Sequence, residues 1–151
     1  MKVPGPSDRL LDLIFDALED AVASARDTGQ SIVPFLLAQS GDTRRRRPFR
    51  VPPQDGAAAA GRRRASDLGA DVDCVVFAYD GFITTPAGKS DAILVEAHER
   101  GMSRSLVFAQ RYRPRTLLRH FSTLGNPVLL AASEPFLPGR PAATSRDVDF
   151  F

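Results

Sequence analysis

Three stretches in the second half of the chain restrict the fold more than anything else: "CVVFAYDGFIT", "SDAILVEAHE" and "SLVFAQRYR". The first and third carry β-branched and aromatic residues, and the second the apolar run Ala92 to Val95. They are separated only by "TPAGK" and by a short segment around "RGM". Parallel neighbours need a crossover of about a dozen residues or more, so connections this short predict antiparallel hairpins and a meander. A fourth short strand is expected in "NPVLLAA".

Alternation with period two sorts the side chains onto two faces. A turn centred near Pro86 sets Phe77 opposite Glu96 and Tyr79 opposite Leu94. A second turn centred near Met102 sets Glu96 opposite Phe108 and Leu94 opposite Gln110. One face then carries Cys74, Val76, Ala78, Ile93, Val95, Ala97, Val107 and Ala109, all small and apolar. The other carries Val75, Phe77, Tyr79, Leu94, Glu96, His98, Leu106, Phe108, Gln110 and Tyr112.

Upstream, Leu11, Ile14, Phe15, Leu18, Val22 and Ala25 recur at helical spacing, which predicts a helix from Asp8 to Asp27 capped by Ser7 and stopped by Gly29. Asp12, Asp16 and Asp20 lie at i, i+4 and i+8 on it and read as a solvated acidic face. "SIVPFLLAQ" and "RRRRPFRV", joined by "SGDT", predict a hairpin with prolines suited to an edge. "DGAAAAGRRRASDLGAD" predicts a second helix that offers little more than alanine and Leu68 for burial. The fold class expected is α+β: helix, β-hairpin, helix, then a three- or four-stranded antiparallel meander with both helices on its small apolar face. Residues 1–133 would form one domain and residues 134–151 a proline-rich tail.

Composition narrows the function classes. A chain of 151 residues with 43% hydrophobic and 25% charged residues is globular in character. No apolar run reaches the roughly 20 residues of a membrane helix, and "MKVPGPSDRL" lacks an apolar leader, so a cytoplasmic protein is expected. Cys74 is the one cysteine; it sits in an apolar run and reads as a buried thiol. No nucleotide-binding, zinc-finger or nucleophile-elbow spacing occurs, and neither a cofactor nor a metal is expected.

Two groupings remain. If both helices cover the small face, the aromatic face needs a cover of its own, and a two-fold dimer would supply it. The leading expectation is therefore a non-catalytic interaction module that self-associates through Phe77, Tyr79, Leu94, Glu96, His98, Phe108, Gln110 and Tyr112. The N-terminal hairpin, or the tail through Phe136, Leu137, Phe150 and Phe151, is the alternative cover. The second reading is nucleic-acid or polyanion binding through Arg44, Arg45, Arg46, Arg47, Arg50, Arg62, Arg63 and Arg64, eight arginines facing only Asp42 and Asp55 in residues 41–65. The third is an enzyme using Glu96 and His98 as an acid/base pair.

Overall fold

The computed structural model describes residues 6–137. In chain order the elements are α1 (Asp8–Thr28), β1 (Phe35–Ser40), β2 (Thr43–Pro48), α2 (Ala57–Ser66), β3 (Cys74–Thr85), β4 (Gly88–Glu99), β5 (Ser105–Arg113) and β6 (Ser122–Ser133). The α+β order is the one the sequence predicts. None of the helices among the described residues is long and apolar enough to cross a membrane.

Helix α1 begins where the Ser7 hydroxyl accepts the Leu10 N–H at 3.2 Å. It ends at Gly29, whose φ of 65° lets its N–H reach the Ala25 carbonyl at 2.9 Å. Its buried stripe of Leu10, Leu13, Ile14, Ala17, Leu18, Ala21 and Ala25 packs on Phe35, Leu37, Cys74, Val76, Ala78, Ile93, Val95 and Ala97 of the sheet. The small apolar face is thus one core.

The sheet has six strands, in the order β2-β1-β3-β4-β5-β6, in place of the three or four expected. The N-terminal hairpin does not stand apart from the meander. β1 pairs antiparallel with β3, with Phe35 opposite Ala78 and Leu36 opposite Phe77, and β2 becomes the outer edge. Pairing with β1 satisfies the backbone groups that would otherwise leave β3 as an edge. At the other edge lies β6, where Val128, Leu129 and Leu130 are exposed.

The helices lie on opposite faces, which corrects the expectation that both share one. Helix α2 packs with Leu36, Ala38, Phe49, Val72, Val75 and Phe77, together with Phe136 and Leu137. Gly61 permits this approach: a Cβ there would lie 2.3 Å from Cδ2 of Phe77. A glycine inside a helix costs about 1 kcal/mol relative to alanine, but here it lets the helix sit directly on an aromatic ring. Around Phe77 the rings of Phe49, Tyr79 and Phe136 lie at centroid distances of 6.3, 5.9 and 5.4 Å.

Self-association through the aromatic face is therefore overturned. Phe77, Glu96 and His98 are at most 1% exposed, and Gln110, Tyr112 and Leu94 are also buried. The cluster is core, closed within one chain by α2, Phe49, Phe136 and Leu137. Phe150 and Phe151 lie outside the described residues.

Strand β5 is also phased differently. Phe77 does stand opposite Glu96 and Tyr79 opposite Leu94, but Glu96 faces Val107 and Leu94 faces Ala109. A shift of one residue exchanges faces for every side chain of a strand. Phe108 and Tyr112 consequently join the α1 core, with Phe108 edge-on to Phe15 at 6.4 Å, while Val107 and Ala109 turn to the α2 side.

Gly61→Ala tests the seating of α2. In a free helix the change would stabilise by about 1 kcal/mol. Here overpacking against Phe77 is expected to destabilise by roughly 1–3 kcal/mol, seen as a lower denaturant midpoint. A variant more stable than the parent would contradict the α2 packing.

Candidate functional site

Glu96 and His98 share the α2 side of β4 but belong to separate networks. The Glu96 carboxylate accepts from Arg62 (Nε at 2.9 Å, Nη2 at 2.7 Å) and, on its other oxygen, from the Tyr79 hydroxyl at 2.6 Å. Burial, and then the bond to Glu96, raises the Tyr79 pKa, so its hydroxyl stays a donor. His98 accepts the Leu137 N–H on Nδ1 at 3.1 Å. Its proton must then lie on Nε2, 2.9 Å from the Met102 carbonyl, to which it donates. With both nitrogens engaged and the ring against Phe136 at 5.2 Å, His98 clasps the C-terminal segment to the turn after β4. Neither Glu96 nor His98 lines the clefts described below.

The arginines divide by the parity of β2. Arg44 stands opposite Gln39 and Arg46 opposite Leu37, on the α1 side. There Arg44 pairs with Asp16, and Arg46 with Asp20 at 2.7 Å while lying 4.1 Å over the Phe35 ring. The acidic stripe of α1 thus meets alternate residues of a basic strand. Both pairs are exposed, so each is worth about 1 kcal/mol or less.

Arg45 and Arg47 stand opposite Ala38 and Leu36, on the α2 side. Among the described residues neither makes an ion pair or a side-chain hydrogen bond, and the same holds for Arg64 of α2 and for Arg50. By contrast Arg62 is held by Glu96, and Arg63 by Asp55 at 3.0 Å.

Arg45, Arg47 and Arg64 rim one cleft of about 320 Å³ between β2 and α2. Its apolar lining comes from Leu36, Leu68, Val72 and Phe49, and its carboxylates are Asp67 and Asp71. Residues two apart on a strand are about 6.5–7 Å apart along it, so Arg45 and Arg47 present adjacent guanidinium groups to one side. A cleft of this size with an apolar floor and a few charged groups has the composition of a small-ligand site. Sequence reading placed Arg45, Arg47 and Arg64 in a basic patch but missed Asp67, Asp71, Leu36, Leu68 and Val72. The available signal was the alternation of "PFLLAQ" against "TRRRRP", which fixes which arginines share a face with Leu36.

Other polar groups are structural. Both oxygens of Asp80 accept from the Tyr112 hydroxyl, at 2.7 and 2.8 Å. Burial, with Asp80 nearby, raises the Asp91 pKa. Cys74 is fully buried, and burial followed by the charge of Glu99 pushes its thiol up to about 11, which leaves it protonated and unreactive at neutral pH. Among the described residues no group of three or more His, Cys, Asp or Glu could hold a metal ion. No family model, curated protein or solved structure matches the chain.

The His98 clasp predicts a pH dependence. Burial, with a smaller contribution from Arg100, lowers the His98 pKa below its ordinary 6.5, against the opposing effects of the Met102 carbonyl and Glu99. The unfolded chain therefore takes up this proton first as pH falls. The stability owed to neutral His98 is complete above about pH 6.5 and declines below it. At about pH 7.5, His98→Gln is expected to cost roughly 1–3 kcal/mol in denaturant unfolding. That gap to the parent should narrow towards about pH 5; a constant gap would contradict a buried neutral imidazole.

Proposed function

We propose that the protein binds a small organic anion, a carboxylate or phosphate ester with an apolar body, in the cleft between β2 and α2. The observation that carries this reading is the convergence of Arg45, Arg47 and Arg64, without carboxylate partners among the described residues, beside Leu36, Leu68 and Val72. Neighbouring arginines have already found anions: Arg44 and Arg46 on α1, Arg62 on Glu96. Among the described residues the cleft arginines have no side-chain partner, and guanidinium groups suit planar carboxylate and tetrahedral phosphate alike.

Asp67 and Asp71 also line the cleft and accept hydrogen bonds, which favours a ligand that carries hydroxyl or amine donors beside its anionic group. The same carboxylates oppose a dense polyphosphate. Stacking of bases would need exposed rings, and Phe49 is only 5% exposed. These features favour a small amphipathic anion over a nucleic-acid strand.

Titration calorimetry with octanoate and octyl phosphate tests the reading. Binding to the parent protein is expected, weakening as salt rises. Arg45→Gln/Arg47→Gln should reduce affinity at least about tenfold, since a hydrogen bond to a charged group is worth roughly 1.5–3 kcal/mol. Arg44→Gln, on the opposite face, should leave it unchanged. Equal loss in both variants, or no binding of either probe at low salt, would refute the assignment.

A further inference from the structure

A second cleft, of about 740 Å³ and more open than the first, continues from it across a shared boundary. Pro48, Phe49, Arg64 and Asp67 line both. Arg50 and Arg63 line the second cleft and not the first; among the described residues Arg50 has no ion pair or side-chain hydrogen bond, and Arg63 pairs with Asp55. The rest of the second lining is Val33, Pro48, Phe49, Pro52 and Ala60, which carry no side-chain charge, together with the shared Arg64 and Asp67. Together the clefts carry cationic groups on both sides of a shared boundary beside α2, where the apolar Pro48 and Phe49 meet the charged Arg64 and Asp67.

From this arrangement we infer that the two clefts together take an elongated dianion, an aliphatic chain or ring system bearing an anionic group at each end. The inference rests on the reading of the first cleft as an anion site and extends it by one recognition element. Arg45 and Arg47 hold one terminal anion. Arg50 holds the other. The body of the ligand lies on Leu36 and Phe49 and passes Arg64 and Asp67, where a hydroxyl or amine on the chain would find an acceptor. A single-headed anion leaves Arg50 in water and gains nothing from it.

The physical reason for spacing selectivity is geometric. Charged groups on the two sides of a boundary are both satisfied only by a ligand long enough to span them, and a shorter one engages one side at a time. Affinity should therefore rise with chain length to a maximum and then fall, which simple hydrophobic or ionic attraction would not produce.

The test compares octanoate with α,ω-dicarboxylates of increasing length, suberate, sebacate and dodecanedioate, by calorimetry on the full chain. One member of the series is expected to bind roughly tenfold or more tighter than octanoate, the effect of one charge-assisted hydrogen bond. Arg50→Gln should remove that gain while leaving octanoate affinity as in the parent. Arg45→Gln/Arg47→Gln should weaken both ligands. Octanoate binding with no dicarboxylate binding more tightly, or a dicarboxylate gain that survives Arg50→Gln, would overturn the two-ended site and leave the single-anion reading intact. Failure of every probe to bind would remove both.

Discussion

From Cys74 to Ala78 no side chain of β3 has any exposed surface, and the rest of the molecule is arranged to make that so. Successive residues of a strand point to opposite faces, so a strand buried throughout must be covered twice. Cys74, Val76 and Ala78 are covered by α1; Val75 and Phe77 by α2, Phe49 and the Phe136–Leu137 segment. Its two edges are covered as well, by β1 and β4. The placement of both helices, of the hairpin and of the end of the described chain follows from that one requirement.

Covering Phe77 has a second consequence for charge. Gly61 brings α2 onto the ring. The next residue, Arg62, is then held against the sheet, where it meets the buried Glu96 carboxylate. A buried carboxylate without such partners would be strongly destabilising, so the Arg62, Tyr79 and Glu96 cluster is what allows an acidic residue on an otherwise apolar face. Arg64 points instead to the cleft beside β2. One short helix thus supplies a core contact, the cationic partner of a buried carboxylate and a rim of the proposed site.

Much of the architecture was legible in the sequence, and the failures have identifiable causes. Ser7 and Gly29 mark α1 correctly because caps are local, made by groups within a few residues of one another. The β3–β4 pairing of Phe77 with Glu96 was legible because the connection is tight. The β4–β5 connection is longer, residues 100–104, and its length leaves odd and even registers nearly equal on local grounds. The run "CVVFA" also carried a warning that alternation alone could not express. An unbroken apolar stretch is the mark of a strand buried on both sides, and it argues against leaving the Phe77 face for a partner. For the proposed site, composition revealed the arginines but not their sorting. That depended on which face of the sheet each shares with Leu36, with α1 or with Glu96.

By itself the amino-acid sequence determined the elements and their neighbours along the chain: the ends of α1, the tight β3–β4 turn and the alternation within each strand, because these rest on hydrogen bonds and side-chain periodicities within short spans. Tertiary structure alone decided that the helices lie on opposite faces, that β5 turns Phe108 and Tyr112 towards α1, and that Arg44 and Arg46 are ion-paired while Arg45, Arg47 and Arg64 have no ion pair among the described residues. Those outcomes are set by burial and charge pairing between segments far apart in sequence, where several local solutions compete and only the packed whole selects among them.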